Sequence, residues 1–339
     1  MSFHVWTADA PEWLEHWSSW PSREVWAHPG YAALYQDDAT QALCAAWRAD
    51  NGCVLFPFLL RDLRAEPFGV DAADTITPYG YGGPFFWGCD REAVAAAFWP
   101  AFDAWAEERT VVSEFVRLAL FENELLPYPG EREQMLVNVV RDLEPDVDAL
   151  WMDVDHKVRK NVKKARRSGV RVEFDTQGER LVDFLRLYEH TLDRRDAPGR
   201  YRFSRPFFEA IHARLRGQFV YVHALHDERV VSSELALVSE ESIYSFLGGT
   251  SSDAYELRPN DLLKYELILW GKAAGKGRFV LGGGYESGDG IFRYKRSFAP
   301  HGLVPFFVGR RVLEPELYRD LTESVGNPRD PGYFPSYRS

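Results

Sequence analysis

The amino-acid sequence predicts an α/β protein made of two similar domains. The chain has 339 residues, a length that suits two domains of about 150 residues each. Hydrophobic residues make up 45% of it, which is enough to build a core in each domain. Both halves also show the same order of elements: a hairpin, a glycine-containing segment and a helix. This repetition indicates the duplication of one α/β unit.

In the first half, residues 42–60 (ALCAAWRADNGCVLFPFLL) predict a hairpin, because a short polar turn separates two apolar runs. The segment TPYGYGGPFFW follows at 77–87 and leads to a helix over Arg91–Glu108. Strands are predicted at 111–120 and 135–143. We expect this first domain to cover residues 1–150.

The second half repeats that order. Its predicted elements are a basic helix at 152–168, a strand at 170–174, helices at 179–194 and 204–215, a hairpin at 219–237, the segment YSFLGGT at 244–250, a helix over Asp261–Ala274, and strands at 278–284 and 303–313. We expect the second domain to cover residues 151–313. Residues 314–339 are expected to form a C-terminal tail. Its last part, 326–339 (GNPRDPGYFPSYRS), is rich in Pro, Gly and Tyr, so we expect it to be irregular or loosely packed.

Residues 157–167 (KVRKNVKKARR) concentrate positive charge in a chain whose formal net charge is −11. Val158, Val162 and Ala165 recur at helical spacing and predict a face that packs on a core. The basic face consists of Lys160, Lys163, Lys164 and Arg167. Two interpretations stay open for this face: a solvated helix surface, or a surface that binds an anion.

Several classes of protein are disfavoured. No apolar run approaches the roughly 18 residues that span a bilayer, and the N-terminus lacks the basic start and apolar core of a secretory signal. Cys44, Cys53 and Cys89 have no metal-ligand spacing, and we expect reduced thiols in a cytoplasmic protein. A pI near 5.4 disfavours a general nucleic-acid coat protein, but it allows a local patch that binds phosphates.

Four segments occur in a fixed order: TPYGYGGP, LWMDVDHKVRKNVKKARRSGVRVEF, SDAYELRPNDLLKYELILWGKAAGKGRFVLGGG and RYKRSF. Together they resemble the FemABX-like branch of the GNAT acyltransferase superfamily, over about residues 20–312. The resemblance implies two GNAT-like domains with mixed sheets flanked by helices. It also implies transfer of an acyl group to an amine, often an aminoacyl group from aminoacyl-tRNA. Peptidoglycan precursors and natural-product peptides are the implied acceptors.

Residues 258–263 (RPNDLL) bear on the identity of the donor. By the resemblance, they stand where CoA-dependent GNAT enzymes carry a Q/R-x-x-G-x-G/A loop that binds the pyrophosphate. Arg258 is kept, but Asp261 replaces the glycine and Leu263 replaces the small residue. An acid repels a pyrophosphate, and a leucine side chain blocks the approach of the backbone. We therefore expect aminoacyl-tRNA as the donor, held by Arg258 and the basic face, with acetyl-CoA or another acyl-CoA as the alternative.

Amide formation from an activated ester needs positioning and charge stabilisation, without a nucleophilic triad or a metal. The resemblance places Lys295, in Tyr294-Lys295-Arg296-Ser297-Phe298, near the acyl-transfer point, although the family pattern begins with Phe where this chain has Tyr294. Its ammonium would stabilise the oxyanion or a terminal phosphate of the donor. Glu234 is a weaker candidate, as a general base. The alternation of strand 230–237 favours a Glu234 that faces solvent.

The resemblance also implies a set of residues on the acceptor side: Tyr79, Tyr81, Arg194, Arg195 and Tyr201. In relatives, an arginine near Arg194 grips a phosphate of a nucleotide-linked acceptor. An arginine pair at a helix end is equally an ordinary partner of the helix dipole. No cofactor and no metal are expected, and a non-catalytic module that holds a phosphorylated ligand stays open as a further function.

Overall fold

A computed structural model of the protein describes residues 2–49, 52–65, 67–286, 288–326 and 332–339, without the side chains of residues 49, 52, 53 and 200. The chain divides into two compact units. Unit 1 consists of Met1–Met135 together with Phe306–Ser339, and unit 2 consists of Leu136–Pro305. The polar turn predicted within the hairpin 42–60, at Ala49-Asp50-Asn51-Gly52, falls partly outside the described residues, since 50 and 51 are not among them.

The elements of unit 1 begin at the N-terminus. In chain order they are β1 (Ser2–Thr7), α1 (Pro11–Ser19), α2 (Pro29–Ala32), β2 (Thr40–Ala49), β3 (Gly52–Asp62), β4 (Ala73–Ile76), β5 (Phe85–Trp87), α3 (Arg91–Glu107) and β6 (Val111–Arg117). Strand β7 (Glu131–Asp142) begins in unit 1 and ends in unit 2.

The elements of unit 2 follow. They are α4 (Val147–Asp153), α5 (His156–Arg167), β8 (Arg171–Asp175), α6 (Leu181–Arg194), α7 (Arg205–Arg214), β9 (Phe219–His226), β10 (Arg229–Val238), β11 (Ser242–Thr250), α8 (Pro259–Ala273), β12 (Arg278–Gly282) and α9 (Gly290–Arg296). Strand β13 (Leu303–Val312) leads back into unit 1, where α10 (Pro315–Ser324) follows.

The sheets of the two units have the same design. The strand order is β1-β2-β3-β4-β6-β13 in unit 1 and β8-β9-β10-β11-β12-β7 in unit 2. In each sheet the first three junctions are antiparallel, the fourth is parallel and the last is antiparallel. A helix, α3 or α8, precedes the second strand of each parallel pair, as a parallel crossover requires. The predicted α/β class with mixed sheets and flanking helices is confirmed.

The last strand of each sheet comes from the other half of the sequence. Val308–Val312 of β13 pair with Ser113–Arg117 in unit 1, and Val139–Asp142 of β7 pair with Arg278–Gly282 in unit 2. The units therefore differ from the boundaries 1–150, 151–313 and 314–339. Those boundaries rest on local composition, whereas the pairing of β7 and β13 depends on residues more than 130 positions away.

The C-terminal tail is part of the core of unit 1, in contrast to the loose packing expected for it. Tyr337 is 2% exposed, and its hydroxyl lies 2.8 Å from Ser113 Oγ and donates to Asp74 Oδ2 at 3.1 Å. Arg338 Nε donates to the same carboxylate oxygen at 2.6 Å. Because Asp74 is fully buried, its charge needs partners within the protein, and these are Arg61 of β3 together with Tyr337 and Arg338 of the tail.

Replacing Tyr337 with alanine should lower the free energy of unfolding by about 3–5 kcal/mol, because it removes a buried ring and two hydrogen bonds. Urea unfolding followed by tryptophan fluorescence would measure the change. Tyr333→Ala is the matched control, since that ring is 44% exposed, and we expect it to cost less than about 1 kcal/mol. Equal losses in the two variants would contradict the placement of the tail.

Helices cover both faces of the unit 2 sheet. Helix α8 packs against the face that carries Val222 and Ala236, and α6 packs near Leu225 and Val230 on the other face. As a result β10 is buried from Val230 to Val238. Any polar side chain in this strand therefore needs a partner within the protein.

Candidate functional site

The ladder between the parallel strands β11 and β12 is short. Only Ser242–Tyr244 pair with Arg278–Val280, although both strands continue beyond that point. On its other edge β11 has one extra residue, Phe246, within its pairing with β10, and such a bulge bends the strand locally. The polar groups described next lie where this ladder ends.

A buried ion pair occupies the centre of the site. Lys264 of α8 is 4% exposed and Glu234 of β10 is 5% exposed, and the Lys264 ammonium donates to both oxygens of the Glu234 carboxylate. Lys264 Nζ also donates to Ser245 Oγ at 2.9 Å. Ser245 is the first residue of β11 past the end of the ladder. These bonds compensate the loss of hydration that burial imposes on both charges.

Lys295 lies beside this pair. Its Nζ donates to the carbonyl oxygen of Gly283 at 2.7 Å, immediately after β12. The pKa of Lys295 is lowered to about 8, mainly by burial and also by the Lys264 ammonium, while the Glu234 and Asp289 carboxylates act in the opposite direction. A lysine with this lowered pKa is partly deprotonated near neutral pH, whereas an ordinary surface lysine stays almost fully charged there.

The start of helix α8 adjoins the same site. Arg258 caps it in the left-handed region at φ 59°, and Pro259 supplies no N–H group to the first turn. The Asp261 carboxylate accepts a hydrogen bond from Asn161 Nδ2 at 3.1 Å and is 8% exposed. Burial raises its pKa, in opposition to the charges of Arg258 and Lys157. A carboxylate of the chain thus occupies this helix start, which is the place where the resemblance would put the pyrophosphate of CoA.

Tyr294 connects the helix start to the ion pair. Its hydroxyl accepts a hydrogen bond from Asn260 Nδ2 at 2.9 Å. Burial raises the pKa of Tyr294, and the Asp261 and Glu234 carboxylates raise it further. The departure from the family's phenylalanine therefore gives this chain a polar contact with α8.

The basic run 157–167 forms helix α5, which is separate from α4, whereas one helix was expected over 152–168. The guanidinium of Arg159 explains the break, because it donates to the carbonyls of Met152, at 2.6 Å, and Val154. The predicted apolar stripe is confirmed: Val158, Val162 and Ala165 are all buried.

The basic residues of α5 divide into two groups. Lys164 lies 3.4 Å from a Glu256 carboxylate oxygen and Arg166 lies 2.7 Å from one of Glu266. Lys160, Lys163 and Arg167 are exposed, and none of them makes an ion pair with a described residue. Lys163 Nζ lies 5.7 Å from the centre of the Trp151 ring. The exposed group is what an external anion would meet.

The acceptor-side candidates in unit 2 lie near the end of α6. Arg194 stacks on the ring of Tyr255 at 5.3 Å, while Arg195 is exposed. The Tyr201 ring meets the edge of Tyr285 at 5.9 Å, two residues after the carbonyl that accepts the Lys295 hydrogen bond. The structure therefore brings Tyr201 to the loop that holds Lys295.

Tyr79 and Tyr81 belong to unit 1. Tyr79 is 39% exposed, and its carbonyl accepts the hydroxyl of Tyr31. Tyr81 packs edge-on against Trp26 at 5.4 Å, and burial raises its pKa. Gly80 has φ +108°, and a Cβ there would lie 2.3 Å from the Trp26 ring. This glycine is therefore required for packing against Trp26.

Two aspects of the site differ from expectation. Glu234 was expected to face solvent, and this was wrong, because α8 covers its face of β10. Lys264 was missed altogether. The signal for it in the sequence is weak: Lys264 and Glu266 are the two charged residues in the segment Leu262–Ile268 (LLKYELI), whose other members are Leu, Ile and Tyr.

A second polar line crosses β10, β9 and β8. Ser233 Oγ lies 2.9 Å from His223 Nδ1, and His223 Nε2 lies 3.7 Å from Asp175 Oδ2. The order of groups is that of a nucleophilic triad. Ser233 is 2% exposed and His223 is fully buried, however, so the hydroxyl cannot reach a substrate. We assign this line to the polar interior of the sheet.

Among the described residues there is no cluster of three or more His, Cys, Asp or Glu side chains that could hold a metal ion. Cys44 and Cys89 are free thiols, and the side chain of Cys53 lies outside the described part. No helix of the described residues is long and apolar enough to cross a membrane.

Comparison with known proteins identifies the domain in unit 2. Residues 153–296 match the family model described as the acetyltransferase (GNAT) domain. Over these residues unit 2 is similar to a GNAT domain. Glu234, Lys264 and Lys295 all lie within its matched range, and acyl transfer is the class of reaction that such a domain supports. A search of curated proteins finds no match.

Solved structures of similar fold extend beyond the GNAT domain. FemX has a TM-score of 0.70 at 12% identity, over 94% of this chain and 99% of FemX. A C-terminal domain of a putative lysylphosphatidylglycerol synthetase from Agrobacterium fabrum has a TM-score of 0.56 at 13% identity, over 88% and 92%. L-PGS from Bacillus licheniformis has 0.51 at 14%, over 83% and 88%. The GNAT domain and the FemX fold confirm the predicted resemblance to the FemABX-like branch.

Replacing Glu234 with glutamine should lower the free energy of unfolding by about 3–5 kcal/mol, because it leaves the Lys264 ammonium buried without its counter-charge. The double variant Glu234→Gln/Lys264→Met removes both charges and should recover most of that loss. Chemical unfolding of both variants would measure this difference.

The control for this prediction is the exposed pair of Arg229 and Asp253, 2.8 Å apart. Arg229→Met should cost less than about 1 kcal/mol, because water already solvates both charges. A double variant no more stable than Glu234→Gln alone would contradict a coupled pair.

Proposed function

We propose that this protein transfers an aminoacyl group from aminoacyl-tRNA to an amine. The observation that carries the proposal is the Asp261 carboxylate at the start of α8. A helix start binds anions through free N–H groups and the positive end of the helix dipole. Here a buried carboxylate offsets that charge and Pro259 lacks an N–H group. A CoA pyrophosphate would meet repulsion at this place.

The exposed cations of α5 support a large polyanionic donor. Lys160, Lys163 and Arg167 face solvent on a helix that packs against α8. An RNA backbone carries one phosphate per nucleotide and can contact several such cations at once. This concentration of charge stands out in a chain of formal net charge −11.

The similar folds agree with an aminoacyl donor. FemX and L-PGS from Bacillus licheniformis match over most of both chains. So does a domain of a putative lysylphosphatidylglycerol synthetase, whose name refers to a lipid that carries a lysyl group. Their identity to this chain is 12–14%, so the likeness concerns the fold. The donor chemistry rests on the residues of this chain.

Lys295 is our candidate catalytic residue. In the proposed reaction the acceptor nitrogen attacks the ester carbonyl, the C–O bond to the tRNA breaks and an amide forms. The Lys295 ammonium would stabilise the oxyanion of the tetrahedral intermediate. Both oxygens of Glu234 accept hydrogen bonds from Lys264, so we assign Glu234 the role of holding Lys264 and not that of a general base.

The acceptor is proposed to be an amine of a peptidoglycan precursor or of a natural-product peptide. Arg194, Arg195 and Tyr201 are its expected contacts in unit 2, and Tyr79 and Tyr81 are those expected in unit 1. An exposed arginine beside an aromatic ring suits a phosphate or nucleotide on the acceptor. A CoA-dependent N-acyltransferase is the second candidate, favoured by the acetyltransferase description of the matched family.

Incubation with aminoacyl-tRNA and, separately, with acetyl-CoA distinguishes the donors. We expect gel retardation of aminoacyl-tRNA and release of its amino acid onto an added amine, but no thermal stabilisation by acetyl-CoA. Stabilisation and deacetylation with acetyl-CoA alone would replace the proposal with its second candidate. Binding of tRNA without any transfer to a broad panel of amines would favour a non-catalytic module.

Charge reversal on α5 tests the RNA contact. Lys160→Glu/Arg167→Glu should weaken tRNA binding at least tenfold and reduce the slope of log K against log salt by about 1 to 2, because two phosphate contacts are lost. Filter binding at several salt concentrations would measure both quantities.

The matched control, Arg64→Glu/Arg319→Glu, changes net charge equally at exposed positions of unit 1. We expect it to leave the salt slope unchanged. The α5 assignment is wrong if both double variants weaken binding to the same degree.

A further inference from the structure

We propose that the ring of Tyr285 is a binding site for the adenine base of the donor, which stacks on it beside Lys295. The proposal rests on the proposed function for the identity of that donor, aminoacyl-tRNA, whose 3′ end is an adenosine. Its physical basis is an exposed aromatic ring that the chain holds in place next to the candidate catalytic residue.

Tyr285 is the most exposed aromatic side chain among those that the structure describes, at 56%. A single exposed apolar side chain needs no explanation by itself, so its position decides the matter. Lys295 Nζ donates to the carbonyl oxygen of Gly283 at 2.7 Å, and Tyr285 follows two residues later. Two residues of extended chain span at most about 7 Å, so Tyr285 lies at the edge of the proposed point of transfer.

Side chains at and within α9 hold the backbone around Tyr285. The N–H group of Tyr285 donates to Asp289 Oδ2 at 2.8 Å, and that of Phe292 donates to Asp289 Oδ1 at 2.7 Å. Gly284 allows this approach, because a Cβ there would lie 2.4 Å from Asp289 Oδ1. Lys295 and Asp289 therefore hold the chain on both sides of Gly284. A ring on such a backbone loses little freedom when a ligand binds to it.

Tyr201 orients the ring. The centres of the Tyr201 and Tyr285 rings lie 5.9 Å apart and their planes meet at 66°, an edge-on arrangement. Tyr201 is itself tied to α6, because the buried Tyr188 donates its hydroxyl to the carbonyl oxygen of Tyr201. With one edge-on neighbour and more than half of its side chain accessible, Tyr285 offers ring surface on which a planar base can stack.

The chemistry of the donor favours adenine at this place. In aminoacyl-tRNA a single ribose separates the ester from the terminal adenine, so an ester at Lys295 puts the base close to Tyr285. Stacking on an aromatic side chain is the usual way in which proteins hold an unpaired base. Arg293 and Arg296 of α9 are exposed on either side of Lys295 in the sequence, where the phosphate that precedes the terminal nucleoside would meet them.

CoA also carries an adenine, and its structure fits this place less well. The pantetheine arm and the pyrophosphate separate its adenine from its thioester. An adenine of CoA on Tyr285 would therefore leave the acyl group far from Lys295. The short link between ester and base in aminoacyl-tRNA suits the short distance between the two residues.

Binding of an uncharged RNA hairpin that ends in CCA tests the site without any transfer. Its terminal adenine is replaced by 2-aminopurine, whose fluorescence is quenched when the base stacks. Tyr285→Ala should bind this hairpin about tenfold more weakly than the wild type and leave most of the fluorescence unquenched, because the stacked pair is lost. Tyr285→Phe keeps the ring and should match the wild type, whereas Tyr285→Leu keeps only apolar bulk and should resemble Tyr285→Ala.

Two controls separate base stacking from other losses. A hairpin that ends in CC lacks the terminal base, so the wild type and Tyr285→Ala should bind it with equal affinity. Tyr333→Ala removes an exposed tyrosine of unit 1, 44% accessible, and should change neither affinity nor quenching. The Tyr285 variants should melt at the wild-type temperature, because the ring they alter is exposed.

The proposal is overturned if Tyr285→Ala binds the CCA hairpin as tightly as the wild type does, or if it weakens the binding of both hairpins equally. Salt-dependent RNA binding that persists in either case would keep the proposed donor without the adenine site. Calorimetry with CoA covers the other source of adenine. If the wild type binds no hairpin but binds CoA about tenfold more tightly than Tyr285→Ala does, the adenine site stands and the proposed donor is rejected.

Discussion

Burial of the unit 2 sheet on both faces is the constraint on which the candidate site depends. Helices α6 and α8 exclude water from β10, so a charge in that strand needs a partner inside the protein. Lys264 satisfies Glu234 in this setting, and the requirement fixes how α8 sits on the sheet. Because α8 also supplies Asn260 and Asp261 at its start, the same placement determines what the helix can bind there. Stability and chemistry thus share one interaction.

Local signals in the sequence predicted most of the helices and strands. They could not predict which strands pair across long distances in the chain. The hairpin expected at 219–237 is β9 and β10, because Asp227 and Glu228 form a tight turn with positive φ between two apolar runs. The exchange of β7 and β13 between the sheets has no local signature, since each strand reads as an ordinary apolar run. The predicted domain boundaries missed it for that reason.

The candidate site shows the same division between local and distant information. Lys295 was found through the resemblance, which supplies the position of a lysine without its environment. For Glu234, strand alternation indicated which residues share a face of the sheet. It could not indicate that α8 covers this face, so the prediction of a solvent-facing Glu234 failed. Lys264 could be recognised only once α8 was seen on β10, because the two residues are 30 positions apart. The partner of a buried charge is set by the tertiary structure and cannot be identified from sequence position alone.

The two kinds of positive charge in unit 2 obey different electrostatics. Lys160, Lys163 and Arg167 stand in water, where salt screens them over about 10 Å at 0.1 M. Lys264 is buried and is screened much less. Binding of a polyanion through α5 would therefore respond strongly to salt, while the protonation of Lys295 would respond to pH. If α5 binds a polyanionic donor, changes in salt would alter that binding without altering the buried charge of Lys264.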